Sequence, residues 1–587
     1  MHRPPPRGAL AAVDEVPATD PSPRIAPSGR RRTPAPRALA LLLAAAAACA
    51  WAFDPVSGPP AGTDAAGPAP QADADQPAPP ATAAPPAPRA GTGADARGLP
   101  YAEAVAARFP APPVVYETPG LAPGRERFTA NDELAAALRA IAARGGAALV
   151  EPGRSAGGEP LLALHFGHGG GRPAALLIGQ QHGDEPAGAE ALLVVAERLA
   201  NPADPLAAVL ERLDVVVLPR ANPDGARAGQ RRNAAGQDPN RDHLRMASPE
   251  AQAIAALMQR WRPVMVADLH EYLALGGYVA RLGAIKRHDL LMQGPGTPNL
   301  PPAVAAATEA WLRQPLAEAL DAQRIRHDWY HVQPAVPESG AQPAFSMGGL
   351  SAGLARNAAG LRHAPTLLLE SRGFDLGRLH LQRRVHAQVM AVDALLRAAA
   401  ARADDLAALR DDADAAVAAR ACRGAVVVEA AMTPGARRLR MLDPTTGADV
   451  DVEVAWSSAL LLQPRRSRAR PCAYWLAADQ AVAVARLRAL GVQVTTLAQP
   501  LALQAERYRV TAEGRRQDPG GGAALRQVAV ELEAQPLQAP AGSHLVRLDQ
   551  PLAPFAVAAL EPDGADSYVA AGIVDSVDAL ARVMAWP

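Results

Sequence analysis

Three short segments carry residue types that can hold and use a metal ion. LLIGQQHGDE sets His182 and Glu185 three residues apart, VMVADLHEY contains His270, and TLLLESRG contains Glu370. In each, the reactive group follows an apolar run that reads as a buried strand, and in open α/β sheets sites form beyond the carboxyl ends of strands. Zinc in a hydrolase takes about three protein ligands and keeps a position open for water. His182 and Glu185 can face one ion across a sharp turn, and His270, arriving from a distant strand, completes the set. Water on such an ion ionises near neutral pH and attacks a carbonyl. A separate carboxylate must take its proton and hand it to the leaving nitrogen. Glu370 suits that task as general base, because the apolar residues before it, Thr366 to Leu369, are expected to hold its pKa upward. Each segment also has a plainer reading: a polar turn before a helix, a satisfied Asp268–His270 pair, or a bond from Glu370 to Arg372. Their joint occurrence favours the metal site.

A fourth segment, residues 222–242, reads NPDGARAGQRRNAAGQDPNRD. With it the chain resembles the zinc carboxypeptidases of the pancreatic carboxypeptidase kind, over roughly residues 128 to 400. That family has H-x-x-E, N-P-D-G, R-x-N-x-x-G-x-D-x-N-R, a distal zinc histidine after a strand and a terminal catalytic glutamate, and all five occur here in order. The resemblance implies an α/β/α sandwich with a mixed sheet of roughly eight strands and one zinc ion per catalytic domain. It implies that Arg231 polarises the scissile carbonyl, that Asn240 and Arg241 grip the substrate's free carboxylate, and that Asp238 orients a zinc histidine, His182. Arg232 adjoins Arg231, and the choice between them rests on motif register. Many digestive-type relatives carry a mobile tyrosine before the catalytic glutamate. Residues 345–365 contain none, so Tyr330 is the nearest candidate, with Arg356 and Asn357 as alternatives lining that side. The resemblance is to a bacterial branch with a long insertion and a β-rich C-terminal domain.

The elements that must position these groups are legible from periodicity. Residues 131–143 read as a helix capped by Asn131 or Thr129. Apolar runs at 161–166 and 174–179 flank the Gly-rich 168–173, which suggests a hairpin. Residues 186–200 have helical spacing, 213–218 a strand pattern, and 248–260 a helix with Ser248 as N-cap and Pro249 first. Strands follow at 263–269 and 366–369, and helices at 302–323 and 376–400. This alternation argues for an α/β domain with a largely parallel sheet, which the first hairpin makes mixed. After about 405 the texture changes to strand-like runs at 426–429, 450–455, 492–497, 508–511, 527–531 and 545–548. One helix, 479–490 with Asp479 as N-cap, interrupts them.

Length and composition bound the rest. The chain has 587 residues, and 59 basic groups balance 59 acidic ones, which gives no electrostatic case for nucleic acid. Lys286 is the only lysine, so arginine is weaker evidence of function here than usual. Arg30 to Arg32 precede an apolar run over 38–53 that ends in a candidate cleavage site at Ala50-Trp51-Ala52, the form of a secretory signal. A twin-arginine reading, lipidation at Cys49 and an uncleaved anchor are the alternatives, and membrane association enters only through such an N-terminus. Export leads to the periplasm or the medium and permits Cys422 and Cys472 to pair. The expected division is a targeting segment 1–53, a Pro/Ala-rich disordered linker 54–98, a lead-in 99–127, the catalytic domain 128–404 and a β-rich domain 405–587. The leading function is hydrolysis of the C-terminal amide bond of peptides or peptidoglycan peptides. The rivals are a zinc amidohydrolase acting on cell-wall peptides or acyl-amino acids, and an inactive peptide-binding module.

Overall fold

The computed structural model describes residues 103–167, 171–275, 282–333, 343–518, 520 and 522–586. The expected signal and linker lie outside the described residues. The first ten described strands are β1 (Ala147–Arg154), β2 (Pro160–Phe166), β3 (Ala174–Gly179), β4 (Asp214–Leu218), β5 (Met265–Tyr272), β6 (Ile285–Lys286), β7 (Leu290–Gln293), β8 (His327–Trp329), β9 (Ala344–Ser346) and β10 (Thr366–Arg372). Eight of them form one sheet in the order β1-β2-β4-β3-β5-β10-β7-β8. β4, β3, β5 and β10 run parallel, β1–β2, β2–β4 and β10–β7 are antiparallel pairs, and β7–β8 is parallel.

Every residue of β3, β4, β5 and β10 is buried, because helices cover both faces of the sheet. Alternation along β3 divides its side chains between the layers. Leu177 joins Leu192, Val195 and Leu395 of the helices α1 (Ala187–Ala200) and α3 (Leu381–Ala401). Leu176 and Ile178 meet Ile254, Leu257 and Met258 of α2 (Pro249–Trp261) on the opposite side. The result is the three-layer α/β/α sandwich that the resemblance implied.

Several local expectations are corrected. The runs at 161–166 and 174–179 are not a hairpin, since β4 lies between β2 and β3. The hairpin is β1–β2. β1 contains Pro152 and Gly153 and buries no residue completely, so no apolar run announces it. Helix Asn131–Ala143 is capped at Ala130, whose N–H donates to Glu133 at 2.8 Å, while the Thr129 hydroxyl accepts from the Gly120 N–H instead. The helix read at 302–323 passes through a π-helical turn, Thr308–Arg313, just before Pro315. Pro315 cannot donate to the preceding turn, which accounts for the widening there. Ser248 caps α2 as expected, its hydroxyl accepting from Ala251 N–H.

Beyond a further helix, Ala403–Ala418, the chain builds two more sheets. β11 (Ala425–Leu442) and β12 (Asp449–Ala469) form a long hairpin whose outer edges pair with β6 and β9. β13 (Ala473–Leu476), β14 (Thr495–Thr496), β15 (Leu501–Arg516), β16 (Leu525–Ala539), β17 (His544–Arg547) and β18 (Leu580–Ala585) form a sheet in the order β14-β17-β13-β18-β15-β16. The two hairpins extend well past the apolar runs that signalled them, because much of each is solvent-facing and carries polar residues. The helix expected at 479–490 spans Ala481–Ala489 and follows Gln480, not Asp479, at its cap. Cys422 and Cys472 form a disulfide. The core beneath the third sheet takes Leu244, Met246 and Leu361 from the first part of the chain together with Tyr474, Leu487 and Phe555.

Candidate active site

The three chemical segments converge because β3, β5 and β10 are neighbours in the sheet. Glu370 pairs directly with His270 across the parallel β10–β5 ladder, so both side chains leave the same face. β3 ends at Gly179 opposite Leu269, and the chain then turns through Gln180, in the left-handed region at φ 48°, to present His182 and Glu185. Gly183 permits this turn: a Cβ there would lie 1.9 Å from the carbonyl carbon of Gly225, in the NPDG segment. Asn222 holds that segment in place by accepting from the Gly225 N–H and donating to the Gln181 carbonyl.

His182 Nδ1 lies 2.7 Å from Glu185 Oε1, His270 Nδ1 lies 2.8 Å from Glu185 Oε2, and the two Nδ1 atoms are 3.1 Å apart. All three side chains are buried, and their donor atoms converge as the ligands of one ion would. The opposite ring nitrogens are committed elsewhere. His182 Nε2 lies 3.2 Å from Asp238, and His270 Nε2 lies 3.0 Å from Asp268. A proton on each Nε2, directed at its carboxylate, leaves the Nδ1 lone pairs for a metal. Two imidazoles and a carboxylate with a free approach side are a donor set that fits zinc.

Around this cluster the other sequence-derived residues fall into place by distance. Arg231 Nη1 is 3.1 Å from His182 Nδ1, and its Nε and Nη2 each lie 2.8 Å from Asp238 Oδ2. Arg232 turns away toward the carbonyls of Gly236 and Gly520, so geometry separates the two arginines. Asp238 also accepts from the Asn240 N–H at 3.0 Å, and the Asn240 amide is 3.1 Å from His270 Nε2. Asn240 and Arg241 line the same cleft as His182, Glu185, Arg231 and Glu370. Glu271, next to His270 in sequence, points to the opposite face. There it pairs with Arg384 at 2.7 Å and accepts from the Ala187 N–H.

The zinc carboxypeptidase family profile matches residues 135–281, a span that includes His182, Glu185, Arg231, Asn240, Arg241 and His270. That match identifies residues 135–281 as a zinc carboxypeptidase domain region. Carboxypeptidase 2 of Trichophyton tonsurans is 28% identical over 403 residues, 68% of this chain and 73% of that protein. The match is longer than the stretch from 128 to 404, so it includes sequence outside the catalytic sheet. Carboxypeptidase SOL1 of Arabidopsis thaliana is 33% identical over 172 residues, 26% of this chain and 35% of that protein. Among solved structures, a metallocarboxypeptidase of Pseudomonas aeruginosa is 24% identical, with a TM-score of 0.36, covering 48% of this chain and 70% of that chain.

The cleft has a volume of about 710 Å³. Burial pushes the Glu370 carboxyl up to about 7, the direction expected from the apolar run before it. Burial works against ionisation of Asp238 too, but the hydrogen bond and charge of His182, with Arg231 and Arg241, outweigh it and hold that carboxyl below the ordinary range. Tyr330 and Arg356 both line the cleft, whereas Asn357 is turned to the Gly296 N–H and the Ser351 carbonyl. Asp268 had a legible signal, since residues two apart on a strand share a face. The cleft wall built by Val427, Glu429, Val557 and Asp566 had none, because it comes from the far half of the chain.

Proposed function

We propose that the chain removes the C-terminal residue of peptides, with zinc held by His182, Glu185 and His270 and with Glu370 as general base. The observation that supports this most is the β5–β10 register, which sets Glu370 beside His270 at the mouth of a cleft that also holds Asn240 and Arg241. Zinc, when bound, supplies a Lewis acid that lowers the pKa of water and polarises a carbonyl. The protein's own groups do the rest. Arg241 makes no ion pair among the described residues, its Nη1 donating to the Asn240 carbonyl, and its guanidinium suits the substrate's terminal carboxylate. Arg231, fixed by Asp238, aims a cation at the oxygen on which negative charge develops. Glu370 takes a proton from the attacking water and delivers it to the leaving nitrogen. The water oxygen ends in the new carboxylate, the C–N bond breaks, and the terminal residue departs as a free amino acid.

The carboxypeptidase names of the relatives support peptides as the substrate class. An amidohydrolase acting on acyl-amino acids or cell-wall peptides is the second reading, favoured by the wall that residues 427–430 and 557–566 contribute to the cleft. The completeness of the ligand set and base speaks against an inactive binding module. Export is supported by the signal-like N-terminus and by the disulfide, which belongs in an oxidising compartment. No helix among the described residues is long and apolar enough to cross a membrane. A change of architecture near residue 405 supports the expected division into a catalytic and a β-rich part. The test is mass spectrometry of a mixed peptide and muropeptide pool, with and without chelator, beside C-terminally amidated counterparts. Loss of single C-terminal residues, blocked by chelator and by amidation, is the expected result. Internal cleavage, or equal turnover of amidated peptides, overturns the reading.

A further inference from the structure

Several buried arginines in this protein are paired with carboxylates. Arg384 is paired with Glu271, Arg582 with Glu561, and Arg468 with both Glu561 and Asp563. Arg220 has no carboxylate but donates to Gln180, Asn131 and the Thr129 carbonyl. Arg356 has no such carboxylate partner. It is 3% exposed and lines the active cleft. Its Nη2 donates to the Gly349 carbonyl at 2.8 Å, its Nε meets no acceptor, and it makes no ion pair among the described residues. A buried guanidinium with no carboxylate in contact is destabilising, and Glu370 and Asp268 act on this one only through space. Burial also pulls its pKa below the usual arginine value, a tension that an incoming anion relieves.

The surroundings say where that anion belongs. Arg356 is the second residue of the short helix Ala355–Leu361, whose first N–H donates to the Asn240 side-chain oxygen at 2.8 Å. Just before it, the Gly353 carbonyl accepts from the His243 N–H at 3.1 Å. The segment bearing Arg356 is thus bolted to the Asn240–Arg241 segment, and the two guanidinium groups face one cleft. Gly348, at φ 77°, leaves room beside it: a Cβ there would stand 3.0 Å from Arg356 Nη2 and 2.9 Å from the Tyr330 ring.

We propose that Arg356 is a specificity-determining residue, selecting substrates whose C-terminal residue carries a second carboxylate, as aspartate or glutamate does. This rests on the carboxypeptidase reading, in which Asn240 and Arg241 take the α-carboxylate. The side-chain carboxylate then supplies the acceptor that Arg356 lacks.

The test uses the zinc-loaded full chain and four N-acylated dipeptides ending in Ala-Glu, Ala-Gln, Ala-Leu and Ala-Arg. Loss of a charged hydrogen bond predicts that kcat/KM for the Glu end exceeds that for the Gln end by about 10- to 100-fold. Arg356→Gln should erase most of that preference and Arg356→Lys should restore part of it, with the change appearing mainly in KM. Calorimetric titration of Glu370→Gln with the Glu- and Gln-ended peptides reads the same preference as binding, without turnover. Equal rates on Glu and Gln ends, or faster cleavage of Ala-Leu or Ala-Arg, overturn the proposal while leaving a carboxypeptidase. So does a loss at Arg356→Gln that is uniform across all four peptides, which would place Arg356 on the α-carboxylate. The wild-type comparison stands whether or not the variants fold. Release of no terminal residue from any peptide refutes the carboxypeptidase reading and the proposal together.

Discussion

Asp238→Asn changes one atom and should disable the site in a specific way. The Asp238 carboxylate accepts from His182 Nε2 through Oδ1 at 3.2 Å and from Arg231 through Oδ2 at 2.8 Å. Both partners present donors, so a carboxylate, with two acceptors, satisfies both. An asparagine has one acceptor and one donor group. Turned one way it holds His182 and sets N–H against the N–H of Arg231; turned the other way it holds Arg231 and opposes the imidazole. In the first orientation Arg231, the proposed carbonyl-polarising group, loses its anchor, and in the second His182, the proposed zinc ligand, loses its orientation. Removing such a supporting partner costs about 10- to 100-fold in metal affinity or activity, or about 1.4–2.7 kcal/mol. Zinc affinity, read by competition with a chromogenic chelator, should fall within that range or stay with Arg231 displaced. At saturating zinc, kcat/KM should be down by about 100-fold, because losing a preorganised donor to the oxyanion has a comparable effect. Wild-type zinc affinity together with kcat/KM within about threefold of wild type would refute the reasoning.

Three further outcomes follow from the same geometry. Glu370→Gln should lower kcat by about 100- to 10,000-fold while zinc content stays unchanged, since Glu370 is not among the three converging donors; elemental analysis beside kinetics checks both halves, and loss of zinc would make Glu370 a ligand. Arg241→Ala should cost about 2–5 kcal/mol in kcat/KM on free-carboxylate peptides and little on amidated ones, a contrast measured on matched peptide pairs. Cys472→Ser opens a cross-link spanning 50 residues; the chain-entropy relation puts the loss at about 4 kcal/mol, which denaturant unfolding of oxidised wild type and variant should show as a lower midpoint.

The residues proposed as zinc ligands and base stand out in the sequence because each sits where an apolar strand stops, a position that a single sequence displays. Strand order and register were not legible, and it is the register of β10 on β5 that brings Glu370 to His270. Periodicity marks a strand without naming its neighbour, which is why the runs at 161–166 and 174–179 looked like a hairpin although β4 divides them. Tyr330 and Arg356 were open alternatives in the sequence, and the fold places both in the cleft, since they reach it from separate segments. The pairing of Glu271 with Arg384 was hidden for the same reason: the partners are 113 residues apart and meet only when α3 packs on the sheet. The long hairpins β11–β12 and β15–β16 exceeded their apolar signals because their outer portions are polar on exposed faces, where alternation fades.

The change of texture near residue 405 is a change of architecture without a break in packing, and this leads to a last prediction. A chain ending between 404 and 424 would lose the partners of β6 and β9, leaving two short strands with unpaired edges. It would strip Tyr474, Phe555 and Val546 from Leu244, Met246 and Leu361. Burying a Leu or Met side chain contributes about 1.5–3 kcal/mol, so three exposed at once approach the whole stability of a domain, about 5–15 kcal/mol. The loss falls next to the chemistry. Leu244 and Arg245 lie three and four residues after Arg241, and they are held by the Tyr568 hydroxyl on the Leu244 carbonyl, Arg486 on the Arg245 carbonyl and Asp518 on the Arg245 guanidinium. The segment proposed to grip the substrate carboxylate is therefore braced by the second half of the chain. Truncation should yield a protein that aggregates, or one that binds zinc but has lost most of its affinity for free-carboxylate peptides. A monomeric truncated chain with KM and kcat within about tenfold of the full protein would show that the brace is dispensable and that the β-rich half serves something other than the cleft.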